Sequence, residues 1–155
     1  MEHPHLSVRK TSIKYGFLTG LAHTVYFLLL ILTGLVEVIE LHFLAGIILV
    51  VGVVMAISRF KAARRGMIDY LQGLSLGLLV GLISSAIFAV VQVVGDYLFN
   101  LAFTEAYRTN NLFYSDLSIW VQAVLWIVFG IWVGALTGFI AMQYFKRPDH
   151  RMNES

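Results

Sequence analysis

The sequence contains no cysteine, and only 13% of its 155 residues are charged. The absence of cysteine excludes disulfide frameworks, thiolate metal sites and cysteine nucleophiles. The charged fraction is about half of that in soluble domains, while 59% of the residues are hydrophobic. This composition predicts an integral membrane protein rather than a soluble one.

The sequence also lacks several common catalytic motifs. It has no HExxH and no phosphate-binding glycine loop before a lysine. Glu37, Glu40 and His42 crowd one turn, but surface carboxylates beside a single histidine are usually solvated. We therefore expect no enzyme activity, no cofactor and no metal site.

Four apolar runs are long enough to cross a membrane, since a hydrocarbon core of about 30 Å needs roughly 20 helical residues. Strands of a membrane barrel would alternate in units of about ten residues, whereas these runs are continuous. The sequence predicts an all-α, four-helix transmembrane bundle made of two antiparallel hairpins. The predicted spans are about 15–36, 41–57, 70–94 and 117–145, within a membrane domain of 15–145 flanked by segments 1–14 and 146–155.

The distribution of lysine and arginine predicts the orientation. Ten of the 11 basic residues lie in the N-terminal segment, the loop between spans two and three, or the C-terminal tail. Because basic loops stay in the cytoplasm, both termini are expected there. The basic loop carries Arg59, Lys61, Arg64 and Arg65. It serves as a topology determinant or binds anionic lipid headgroups at about 1 kcal/mol per residue, and nucleic-acid binding is not expected.

Small residues recur at four-residue intervals and so fall on one face of each helix. Such stripes let helix backbones approach closely in lipid. They serve packing within the bundle or a homo-oligomer interface. The second span has no stripe in its centre and is predicted to face lipid most. The striped positions are Gly16, Gly20, Gly73, Gly77, Gly81, Ser85, Gly130, Gly134 and Gly138.

Polar side chains at bilayer depth form a second candidate feature, since burying them without partners is unfavourable. The candidate intramembrane cluster comprises His23, Ser84, Ser85 and Gln92. One hypothesis is a polar track for a proton or small solute. The alternative is a neutral His23 that hydrogen-bonds to a serine or a backbone carbonyl of another helix.

The segment of about 97–116 between spans three and four is rich in aromatic residues. Aromatic side chains are enriched at membrane–water interfaces, so this segment is interpreted as an interfacial belt. A lid that docks a partner is the alternative.

The chain resembles DUF4199, a family of small four-helix bacterial membrane proteins classified as a domain of unknown function. The resemblance rests on Lys14-Tyr15-Gly16 with Gly20, and on the run from Gly66 through Leu71 that leads into Gly73 and Gly77. The resemblance implies a bacterial inner-membrane location. It does not imply an activity, a substrate or a site.

The specific features of the sequence are therefore packing stripes rather than reactive groups. They favour a non-enzymatic membrane protein that acts through helix–helix contacts. Its partners would be membrane lipid and either further copies of the chain or other membrane-protein subunits. The alternative is a small oligomeric transporter or channel protomer that uses His23, Ser84 and Ser85.

Overall fold

The fold is a bundle of long helices. The computed structural model describes residues 7–35, 38–64, 67–99 and 118–145, and contains no strand in these ranges. The helices are α1 (Val8–Leu32), α2 (Ile39–Ala63), α3 (Tyr70–Phe99) and α4 (Ile119–Phe145). Each is long and apolar enough to cross a membrane. The predicted all-α, four-span architecture is confirmed, whereas the cytoplasmic placement of the termini stays a prediction.

Several parts of the sequence-based description lie outside the described residues. They are residues 1–6 of the N-terminal segment, Glu37, Arg65, most of the aromatic segment of 97–116, and the C-terminal tail of 146–155. Whether the aromatic segment forms an interfacial belt or a partner-docking lid therefore stays open.

The turn after α1 depends on Gly34, whose φ is +68°. The amide of Gly34 donates to the carbonyl of Ile31 at 3.1 Å, and the amide of Leu35 donates to that of Leu30 at 2.9 Å. This pair of bonds is a Schellman motif, which satisfies the last carbonyls of a helix and favours glycine in the left-handed conformation. The hydroxyl of Tyr26 donates to the carbonyl of Leu41 at 2.7 Å, which joins α1 to the start of α2.

The closest helix contact is a glycine seam between α3 and α4. A Cβ added at Gly77 would overlap the carbonyl oxygen of Gly134 and lie 2.9 Å from the Cα of Gly138. A Cβ at Gly81 would overlap the carbonyl oxygen of Gly130. Direct backbone approach of this kind allows dispersion to hold helices together in lipid. The stripes on α3 and α4 thus contact each other within one chain.

The first helix packs against α3 through its own glycines. A Cβ at Gly16 would lie 2.7 Å from the Cβ of Ile83, and one at Gly20 would lie 3.1 Å from the carbonyl oxygen of Ser84. On its other side, Thr19 occupies the space left by Gly52 of α2. Small residues therefore bring α1 close to two neighbours.

The second helix contributes most of the larger hydrophobic cluster, which corrects the prediction that it faces lipid most. Phe60, Ile57 and Val53 are fully buried against α3 and α4. The most apolar stretch of α2 is 33% buried, compared with 28% for that of α4. The prediction was wrong because every position in the centre of α2 is apolar, so no periodicity distinguishes its inward face.

Candidate functional site

The four residues of the predicted polar cluster are all buried inside the bundle. His23 is 8% exposed and Ser85 is 6% exposed, while Ser84 and Gln92 are inaccessible. In a membrane the alternative environment is hydrocarbon, so their hydrogen-bond partners determine whether this placement is favourable.

A cavity of about 220 Å³ lies among all four helices at the level of His23. Ser84 and Ser85 of α3, Gly46 of α2 and Gly130 of α4 line it together with His23. The cavity is open on one side.

The exposed lining residues locate the mouth of this cavity. Phe43 of α2 is 75% exposed and Phe129 of α4 is 49% exposed. The mouth therefore lies between α2 and α4, on the side of the bundle. We refer to this feature as the lateral cavity.

The serine hydroxyls are satisfied within the protein. Ser85 donates to the carbonyl of Gly81 at 2.7 Å, and the Ser84 hydroxyl lies 3.3 Å from the same carbonyl. Back-bonding of this type is common for serine within helices. The walls around the two serines therefore present mostly carbon to a molecule in the cavity.

His23 has one nitrogen bonded and one without a partner. The imidazole donates a hydrogen bond to the backbone of Ala45 on α2. The other nitrogen, Nδ1, is buried and has no hydrogen-bond partner among the described residues. His23 thus joins α1 to α2, while its Nδ1 is enclosed by protein atoms and is not accessible from the lateral cavity.

Aromatic rings form one wall of the cavity, with Phe88 at their centre. Its ring centroid lies 5.5 Å from that of His23 and 5.4 Å from that of Trp126. Phe27 packs edge-on against Phe88 at 5.3 Å. The contacts of Phe88 with Phe27 and Trp126 are edge-to-face, and such pairs are favourable beyond the area they bury.

Gln92 belongs to a separate contact. Its Nε2 donates to the Oε1 of Gln122 on α4 at 3.4 Å, and neither side chain lines the lateral cavity. The structure therefore brings His23, Ser84 and Ser85 to one cavity and places Gln92 in an amide pair between α3 and α4.

The residues of the basic loop differ in what they contact. The ammonium of Lys61 donates to the carbonyl of Phe145 at 3.3 Å and lies over its ring. Arg64 donates to the Oε1 of Gln72 at 3.2 Å. Arg59 instead lines a cleft with residues of α1, and Arg65 lies outside the described residues.

Sequence reasoning missed the aromatic wall and the role of α2 in the cavity. Phe88 and Trp126 are ordinary apolar residues by sequence, and only the packing of α3 on α4 brings them together. Gly46 and His42 also line the cavity. The available signal was Gly46 itself, a glycine in an apolar helix that belongs to no four-residue stripe.

The four helices that are long and apolar enough to cross a membrane define a multi-pass integral membrane protein. Residues 14–116 match the family described as "Protein of unknown function (DUF4199)". Because the match covers more than half of the chain, the chain belongs to this family. Neither a curated protein nor a solved structure gives a match.

Proposed function

We propose that this chain binds an apolar molecule dissolved in the membrane, and that it does so without catalysing a reaction. The observation that carries the proposal is the lateral cavity, which all four helices line and which opens between α2 and α4. Apolar pockets with a few polar groups are the usual form of small-molecule sites. A molecule would enter this one directly from the bilayer.

The size of the cavity limits the bound portion of the ligand. An apolar cavity of about 150 Å³ admits benzene, so about 220 Å³ accommodates a single ring or a short branched segment. The remainder of the molecule would extend through the mouth into the bilayer. Because the serine hydroxyls are bonded within the protein and Nδ1 of His23 is enclosed, the cavity favours a ligand whose buried end is apolar.

Occupancy can be tested by quenching of tryptophan fluorescence with brominated acyl chains. A variant with Trp120→Phe and Trp132→Phe retains only Trp126, whose ring lines the cavity. In bilayers of dibrominated phosphatidylcholine, we expect strong quenching of Trp126. Gly46→Leu should reduce that quenching, because Gly46 lines the cavity and a Cβ there meets no atom within 4 Å.

Two controls separate cavity filling from a general change in the bundle. Gly46→Ala adds little volume and should leave the quenching of Trp126 nearly unchanged. A second single-tryptophan protein that keeps Trp132, which is 61% exposed, should respond to neither substitution. Equal quenching of Trp126 before and after Gly46→Leu would show that the chains do not enter.

We further propose that the protein works as an accessory subunit of a membrane complex or as a self-associating module. The glycine stripes contact one another within the chain, so a partner would use an outer face. The exposed surface of α4 supports this idea, since α4 has the smallest buried share of the four helices and its Trp120 and Trp132 are 60% and 61% exposed. Blue-native electrophoresis in gentle detergent should then show an oligomer or a copurifying partner, and a strictly monomeric species would contradict it.

A transporter or channel protomer is the second candidate. The observation in its favour is that His23, Ser84 and Ser85 line one cavity. Four helices with few buried charges need an oligomer to enclose a path. Solute flux in liposomes that is abolished by His23→Ala, in a protein that remains folded, would favour this candidate over simple binding.

The proposed location is the bacterial inner membrane with both termini in the cytoplasm. The supporting observation is the bias of basic residues toward one side. Reporter fusions at each terminus test the orientation directly.

A further inference from the structure

Several basic residues lie at the end of the bundle where α1 begins and α2 ends, and they differ in what they contact. Lys61 and Arg64 bond to groups of the bundle itself, namely the Phe145 carbonyl and the Gln72 side chain. Arg59 of α2 instead lines a cleft of about 430 Å³ with Lys10 and Lys14 of α1.

The remaining walls of this basic cleft are a hydroxyl, two aromatic rings and two small apolar residues. Thr11 and Tyr15 come from α1, and Phe60, Ala62 and Ala63 come from α2. No carboxylate is among the described residues that line it. Lys10, Lys14 and Arg59 are all exposed at this cleft, and an anion that lies between like charges on one cleft is attracted to each of them.

We propose that the basic cleft binds the phosphodiester headgroup of an anionic membrane lipid. The three cations would face the phosphate, while Tyr15, Phe60 and the alanines would contact the glycerol and the upper acyl chains. Basic pockets between transmembrane helices on the cytoplasmic side bind such headgroups. The apolar half of the wall favours a lipid over a free phosphate ion, which would leave that surface without a partner.

The proposal is independent of the lateral cavity, since the two sites share no lining residue. It also differs from a general attraction between basic loops and anionic membranes. A general attraction depends on net charge, so any basic residue at this boundary would contribute equally. A specific site depends on Lys10, Lys14 and Arg59 alone.

The test is binding of dioctanoyl phosphatidylglycerol to the full chain in neutral detergent, measured by native mass spectrometry or by a thermal shift. Dioctanoyl phosphatidylcholine and inorganic phosphate are the comparison ligands. A basic residue near an anionic surface contributes a factor of about five in affinity. We therefore expect Lys10→Gln and Arg59→Gln each to weaken phosphatidylglycerol binding about fivefold.

Arg9→Gln is the matched control, because Arg9 is adjacent in sequence to Lys10 and exposed like it, but does not line the cleft. It should change affinity less than twofold, as should Lys14→Arg, which retains the charge. Equal losses of phosphatidylglycerol affinity from Arg9→Gln and Lys10→Gln would show that binding depends on net charge alone, and would overturn the proposal. So would equal binding of phosphatidylcholine, or phosphate that competes as well as the anionic lipid.

Discussion

The glycine seam between α3 and α4 makes a quantitative prediction for Gly77→Ala. The added methyl would overlap the carbonyl oxygen of Gly134 and lie 2.9 Å from the Cα of Gly138. Carbon atoms in favourable contact are about 3.5–4.0 Å apart. Both obstructing groups are backbone, so no side-chain rotation relieves the overlap and the two helices must move apart.

The expected destabilisation follows from comparison with Gly46→Ala. An alanine in a helix interior is favoured over glycine by about 1 kcal/mol, and this gain is shared by both variants and cancels. A Cβ at Gly46 meets no atom within 4 Å, so only Gly77→Ala has a steric cost. Overpacking of this kind costs about 1–3 kcal/mol, and we expect Gly77→Ala to be less stable than Gly46→Ala by that amount.

The measurement is the free energy of unfolding from a denaturing-detergent titration, followed by circular dichroism in mixed micelles. Gly138→Ala provides an intermediate case, because its nearest obstructing atom is the Gly73 carbonyl oxygen at 3.2 Å. The predicted order of stability is Gly46→Ala, then Gly138→Ala, then Gly77→Ala. If Gly77→Ala were as stable as Gly46→Ala, the assignment of the seam to packing within one chain would be wrong.

Three further predictions use the same titration. Gln92→Leu removes one partner of a buried amide pair and should lower the free energy of unfolding by about 1–2 kcal/mol. A double-mutant cycle with Gln122→Leu should give a coupling energy of about 0.6 kcal/mol. Strictly additive effects of the two substitutions would contradict the hydrogen bond. Gly34→Ala places a side chain at a φ of +68° and should cost about 1 kcal/mol, with Gly34→Asn costing less because asparagine tolerates this conformation. Lys61→Gln loses a bond to a backbone carbonyl and should cost about 0.5–1 kcal/mol, whereas Arg9→Gln, which removes the same charge from an exposed position, should have almost no effect.

The number and class of helices were predictable because a continuous apolar run has few other stable forms in a membrane. The positions of the helix ends depend on other interactions. The first helix begins at Val8, ahead of the span expected from residue 15, and includes Thr11, which is buried. Hydropathy reports transfer into lipid, whereas a helix continues as long as its backbone bonds and its packing are favourable.

The candidate site was partly predictable for a similar reason. Depth along each helix places His23 level with Ser84 and Ser85, and the structure has all three around one cavity. The bond between Gln92 and Gln122 depends on the register of α3 against α4. That register comes from the glycine seam as a whole, and no single sequence position reveals it.

The lateral cavity can be explained by where small residues meet. At its level α2 presents Gly46, α3 presents Ser84 and Ser85, and α4 presents Gly130. Nearer the Arg59 end, α2 presents Val53, Ile57 and Phe60, all fully buried against α3 and α4.

The same four helices thus pack tightly at one level and leave space at another, although the seam between α3 and α4 runs through both. Close-packed interiors contain few voids larger than a water molecule, and an unfilled one in an apolar core is unfavourable. A Cβ at Gly46 would meet no atom within 4 Å, so this position has room for a larger side chain. Because the cavity opens on the side of the bundle, the proposed apolar ligand would supply the contacts that the small residues around the cavity leave unmade.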